Sequence, residues 1–227
     1  MSNPYKFRLS NNHIIVEIPD QGLYLLDTGS PKSFSFIPEV YTLKIDGKRY
    51  PLSYSRNIDI NRTQRLVKSE IHGLIGLDIL KQTSFTLFKY ENGFGEVYFS
   101  VKDVEGTKVP LATSSYLYIV CSVENQKYRF LVDTGAFIGY TEPEIANNYE
   151  FVDIVEDYNQ ILGEFPAKKY RIAVKIGNKT KTINVGVNDN VTRCCLIPSQ
   201  CSFICGINDF FDEFICFDIN QRMMIIK

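Results

Sequence analysis

Two aspartates, Asp27 and Asp133, each open an Asp-Thr-Gly tripeptide, and each follows an apolar run: Leu23-Tyr24-Leu25-Leu26 before the first and Phe130-Leu131-Val132 before the second. A given Asp-Thr-Gly arises by chance in roughly one chain of this length in twenty, and two in matched surroundings are far rarer. An apolar strand delivers the carboxylate to its end, Thr can turn its hydroxyl back into the backbone, and Gly allows a sharp turn with close backbone approach. Each carboxylate is then held on a rigid loop. Two carboxylates brought within about 3 Å cannot both ionise, so the pair would hold one proton and titrate as a unit. Such a pair can draw a proton from a water while donating its own to a carbonyl oxygen. That is general acid-base hydrolysis of an amide, with no covalent intermediate.

The elements that must position these loops repeat as well. Residues Ile14 to Tyr24 read as two strands around a Pro-Asp-Gln-Gly turn, and Tyr118 to Tyr128 read as the same hairpin. Downstream, Leu43 to Tyr50 lines up with Val174 to Lys181, two more hairpins with Asp-Gly and Gly-Asn turns. A third element, Leu74-Ile75-Gly76-Leu77-Asp78-Ile79-Leu80, matches Phe203 to Phe210 when Gly76 is set against Gly206. Each half then closes with a strand, at Glu96 to Val101 and at Arg222 to Lys227. A repeat of about 105 residues is too long for a solenoid unit and fits a duplicated small domain. The expected organisation is an N-terminal lobe over 1–102, a linker over 103–115 and a C-terminal lobe over 116–227.

Asp-Thr-Gly-Ser or Asp-Thr-Gly-Ala after an apolar strand, with His72-Gly73-Leu74-Ile75-Gly76-Leu77-Asp78-Ile79-Leu80 following, resembles the retropepsin-type aspartic proteases. The resemblance covers nearly the whole chain, as two retropepsin-sized lobes fused in tandem. It departs from the pattern at Asn208. It implies a mostly β, two-lobed acid-protease-like β-barrel fold with pseudo-twofold symmetry, an aspartic endopeptidase activity through Asp27 and Asp133, and a monomer, since one polypeptide supplies both carboxylates. The alternative is a non-catalytic peptide-binding module on the same fold, which loss of one Asp would favour; neither is lost. The resemblance also implies that Thr28 and Thr134 cross-link the two loops and that Gly29 and Gly135 set their N–H groups against the carboxylates. A Ser after the tripeptide can donate to the outer carboxylate oxygen, whereas Ala cannot. With Ser30 after one and Ala136 after the other, Asp27 should carry the charge and Asp133 the proton.

Aspartic proteases cover their cleft with a hairpin flap. From Asp27 to Leu43 is 16 residues but from Asp133 to Val174 is 41, so the second half carries about 25 extra. A single flap is expected there, over Asp153 to Arg171, with Gly163 near its tip and Tyr158 and Phe165 on its underside.

Composition agrees with a mostly β protein: 14 Tyr and 16 Phe among 44% hydrophobic residues, frequent turn signals and little helical periodicity. Short helices are expected at Thr63 to Ile71, Glu142 to Tyr149 and Ile207 to Phe211. A net charge of −1 without a basic block gives no reason to expect a nucleic-acid partner. No apolar stretch approaches the ~20 residues of a membrane span, and the first residues lack a signal-peptide core. The sequence as given therefore reads as cytoplasmic, or as secreted or periplasmic had a leader been trimmed. The six cysteines lack the paired Cys-x-x-Cys spacing of structural zinc sites and read as small buried residues of a reduced protein. His13 and His72 are isolated and read as structural or surface residues. No metal or other cofactor is expected; the expected partner is a peptide or protein substrate.

Overall fold

A computed structural model describes residues 3–55, 58–159 and 162–227. It is mostly strands with a few short helices. In the first half, Tyr5–Ser10 pairs with His13–Ile18 and that strand with Gly22–Leu26, all antiparallel. The Gly22–Leu26 strand then lies parallel to Gly73–Ile75. Gly73–Ile75 also takes Phe34–Ser35 on its other side, antiparallel, and Phe34–Ser35 runs parallel to Ser53–Tyr54.

The same set of pairings recurs in the second half. Thr107–Ala112, Tyr118–Val123 and Gln126–Asp133 are antiparallel neighbours. Gln126–Asp133 lies parallel to Phe203–Gly206, which takes Gly139–Thr141 antiparallel, and that strand runs parallel to Lys179–Val187. The strand Thr107–Ala112 falls within the stretch read as a linker and pairs with Met223–Ile226. Each half thus supplies one strand that ends at an Asp-Thr-Gly loop, flanked on both sides.

The halves are joined by a ribbon. Phe85–Lys89 pairs with Phe94–Tyr98, and Phe214–Asp218 with Met223–Ile226. The two hairpins meet through Phe85–Lys89 against Phe214–Asp218 in antiparallel register. Phe85 and Phe217 stack there at 4.4 Å. Offset aromatic contact and burial on both sides make this junction continuous with the core. Its largest apolar cluster accordingly draws on both halves, from Phe7, Val16 and Leu87 to Phe130, Phe203 and Phe217.

The main asymmetry is a long hairpin in the second half. Glu150–Asn159 pairs with Gly163–Ile176, which turns at Gly177 and Asn178 into Lys179–Val187. In the first half only residues 36–41 separate the corresponding strands. From Gly163 onward inner and outer residues alternate, with Phe165 and Ala167 buried and Glu164, Pro166 and Lys168 exposed. That is the signature of a ribbon with one face on the protein and one in water. Gly163 begins the returning strand at φ +76, a conformation that favours glycine, and an added Cβ there would meet nothing. Gln160 and Ile161 lie outside the described residues.

The helices are short. Asp59 caps Ile60–Val67 by accepting from the Arg62 N–H, and Lys68 ends it in the left-handed region. This helix starts three residues before the expected Thr63 and stops before Ile71. Pro143–Ala146 and the 3-10 turn Ile207–Asp209 fall within expected spans. A helical segment over 189–199, capped by the Asn188 side chain and wound as a π-helix over Thr192–Leu196, had no periodic pattern to announce it. Among the described residues no helix is long and apolar enough to cross a membrane.

Candidate active site

Asp27 follows the Gly22–Leu26 strand directly, and Asp133 is the last residue of Gln126–Asp133. Both strands belong to the interior of their sheets, so neither loop can drift without breaking ladders on two sides. The two loops interlock through their threonines. Thr28 Oγ1 donates to the Val132 carbonyl at 2.7 Å and accepts the Thr134 N–H at 2.9 Å. Thr134 Oγ1 donates to the Leu26 carbonyl at 2.7 Å and accepts the Thr28 N–H at 3.0 Å. Both threonines are fully buried. Each hydroxyl uses its donor and one acceptor position across the junction, so the four bonds form a reciprocal set that fixes the separation of the aspartates.

The glycines allow the carboxyl groups to meet. A Cβ added to Gly29 would lie 2.3 Å from Asp133 Oδ2, and one added to Gly135 would lie 2.5 Å from Asp27 Cγ. Any side chain there would displace the opposite carboxylate. Asp27 Oδ1 accepts the Gly29 N–H at 2.8 Å and the Ser30 N–H at 3.0 Å. Asp133 Oδ1 accepts the Gly135 N–H at 2.9 Å, while the Ala136 N–H bonds the Asp133 backbone carbonyl instead.

This difference sets the electrostatics. Burial pushes the Asp27 carboxyl up, and the two N–H donors, with a hydrogen bond from Asp133, pull it back. Burial also raises Asp133, the Asp27 charge raises it further, and Asp133 ends well above the ordinary range. The pair therefore favours Asp27 ionised and Asp133 protonated. The direction is that expected from the sequence, but the cause differs. The Ser30 hydroxyl donates to the Lys32 carbonyl at 2.8 Å, not to Asp27. It is the Ser30 backbone N–H that reaches the Asp27 carboxylate, whereas the equivalent Ala136 N–H is taken by the Asp133 backbone carbonyl.

Two further residues escaped the sequence reading. His13 is buried beside the pair: the ladder that sets Ile15 opposite Leu25 brings it level with Asp27 when carried two residues on. Its Nδ1 lies 2.5 Å from the Asn11 carbonyl and must carry the proton. Burial pushes the imidazole below its usual range, against the opposing pull of the Asn11 carbonyl, Asp27 and Asp157. His72, in contrast, is structural, its Nδ1 accepting the Leu23 N–H at 3.0 Å. The second missed residue is Asp209. In the first half the Gly76 N–H bonds Ser33 Oγ, which donates to Asp78. In the second half Asp209 accepts the Gly206 N–H directly at 2.9 Å, one residue beyond Asn208. Burial raises its carboxyl to about 7.

The long hairpin ends against this region. Phe165 faces inward and packs on Tyr140 at 6.2 Å, in an apolar cluster with Leu131, Ala167 and Ile204. Its cross-strand partner Asp157 accepts from the Tyr140 hydroxyl. Tyr158 alternates to the other face, where the Arg62 guanidinium lies 4.6 Å from its ring. Of the two aromatic residues expected on the underside, Phe165 alone faces inward. Among the described residues no cluster of His, Cys, Asp or Glu could hold a metal ion.

No family model matches the chain, and no curated protein matches it. Among solved structures, the chain is similar to the solution structure of the simian foamy virus (mac) protease, at 14% identity and a TM-score of 0.31. That likeness covers 40% of the present chain and 89% of the viral one. It assigns no role to any residue here; what the two loops can do follows from their own geometry.

Proposed function

We propose that the protein is an aspartic endopeptidase whose two lobes, 1–102 and 116–227, each contribute one carboxylate to a shared site. The observation that carries this reading is the reciprocal threonine lock, which holds Asp27 and Asp133 with each carboxyl over the other loop's glycine. Two unit charges about 3 Å apart repel by ~5 kcal/mol at an effective dielectric of 20. Keeping a proton on an ordinary carboxyl at pH 7 takes only ~4 kcal/mol. Such a pair holds one proton at neutral pH, which equips it as base and acid at once.

In the proposed reaction Asp27, ionised and steadied by the Gly29 and Ser30 N–H groups, takes a proton from a water set between the carboxyls. Asp133 gives its proton to the scissile carbonyl oxygen as the water adds to the carbon. Protonation of the amide nitrogen then releases the amine, and the pair returns to one shared proton. The hairpin Glu150–Asn159/Gly163–Ile176 acts as the flap that covers the peptide. No cofactor enters these steps.

Digestion of a proteome-derived peptide library from about pH 3 to about pH 8, with new termini read by mass spectrometry, tests the reading. Cleavage with a pH optimum set by the pair is expected. Absence of cleavage across that range, by a protein shown to be folded, would overturn it.

A further inference from the structure

The long hairpin is gripped at Tyr158 and Glu164 by the opposite half of the molecule. Arg62 stands in the first turn of Ile60–Val67, a helix whose start is pinned by Asp59. Its guanidinium bonds Glu164 Oε1 at 2.8 Å and lies 4.6 Å from the centre of the Tyr158 ring. Tyr158 and Glu164 face each other across the hairpin, one pair before its last described rung, Asn159 opposite Gly163. One side chain of the first half therefore holds both strands of an element that belongs to the second.

The side of the grip matters. Asp157 and Phe165 form the neighbouring cross-strand pair and point to the protein. Tyr158 and Glu164 consequently point to the opposite, outer face. Arg62 clasps the hairpin from outside, and the hairpin cannot lift away from the aspartates while both contacts stand. A planar guanidinium suits this task, since it can stack on a ring and bond a carboxylate at the same time.

We infer that Arg62 is a positioning residue that latches the flap shut, controlling entry to the Asp27–Asp133 site from the lobe that does not carry the flap. The inference rests on reading the hairpin as a flap. Contacts of this kind add little to the stability of a whole fold, the ion pair being partly exposed. They weigh far more on a local equilibrium in which a single hairpin either lies on the body or lifts from it. Losing both contacts should raise the lifted population about tenfold.

Relaxation dispersion at the backbone amides of Val155 to Asn159 and of Phe165, Ala167 and Lys168 reads that population directly, without substrate and without turnover. Arg62→Ala is expected to raise the lifted population about tenfold, with the melting temperature almost unchanged. Arg62→Lys, which keeps the charge but loses the stacked plane, should fall between. Glu164→Gln should raise the population less, and adding it to Arg62→Ala should do no more, because the pair is already broken. The exchanged pair Arg62→Glu with Glu164→Arg should return the population toward that of the wild type. Flat profiles in wild type and Arg62→Ala alike, or effects of Arg62→Ala and Glu164→Gln that simply add, would overturn the latch. Peptide hydrolysis measured on the same samples separates the two readings. A wild type without activity but with the dispersion pattern above would sink the peptidase and leave the latch standing.

Discussion

Thr134→Val removes one oxygen from the reciprocal lock and leaves the side-chain volume almost unchanged. The substitution takes the acceptor from the Thr28 N–H, 3.0 Å away, and the donor from the Leu26 carbonyl, 2.7 Å away. Both groups sit in a region where Thr28 and Thr134 have no exposed surface, so water cannot replace the lost partners. Each buried polar group left unpaired costs roughly 1–3 kcal/mol, giving about 4 kcal/mol for the two. In a chain of this size that corresponds to a fall of about 10 °C in melting temperature. Thr134→Ser keeps the oxygen and loses one buried methyl, about 1 kcal/mol and about 3 °C. The lock also sets the spacing of the carboxyls, and a displacement of about 1 Å can cost a hundredfold in rate. Thermal unfolding and kcat/KM on one peptide, measured for both variants, test this together. Equal losses in the Val and Ser variants would refute the claim that the hydroxyl, not the volume, holds the loops.

Three further outcomes follow from the same geometry. Ser30→Ala should leave the acid limb of kcat/KM against pH where it is, because the backbone N–H that bonds Asp27 is retained; a limb moved to higher pH would show that the hydroxyl reaches the pair after all. Asp209→Asn should stabilise the fold increasingly as pH rises. The folded carboxyl holds its proton up to about 7 against an ordinary 3.8, so the wild type loses stability through that window, on the order of 4 kcal/mol, and the variant does not. A difference in melting temperature that stays flat between those pH values would contradict the burial of this group. Specific activity should not change on dilution, because one chain supplies both aspartates; a fall with dilution, paired with light scattering that shows dissociation, would point to a site built between copies.

The aspartate pair was legible because a short motif, repeated in matched surroundings, carries its own geometry: strand, carboxylate, hydroxyl, glycine. The extra length after Asp133 was enough to find the hairpin, since the first half lacked it. What stayed hidden depended on register or on the turn of a single loop. His13 reaches Asp27 only through the ladder between His13–Ile18 and Gly22–Leu26, and nothing in its neighbours' types announces that. Asp209, not Asn208, meets the Gly206 N–H because the 3-10 turn at Ile207–Asp209 swings the later residue back. The expectation that Tyr158 and Phe165 share one face fails because they belong to adjacent rungs of the antiparallel pair, Tyr158 opposite Glu164 and Phe165 opposite Asp157, and adjacent rungs point to opposite sides. The helix is capped at Asp59, ahead of the expected start at Thr63, and this sets Arg62 in the first turn, from which it reaches the hairpin.

In the proposed reaction Asp27 and Asp133 share one proton and act together on a peptide bond. Turnover by Asp27→Asn and by Asp133→Asn, beside wild type on a peptide the wild type cleaves, tests it most directly. A carboxamide cannot exchange the shared proton, so each variant should remain folded, by circular dichroism and melting temperature, and lose cleavage completely. Folded variants that both retain cleavage would move the chemistry away from these two residues.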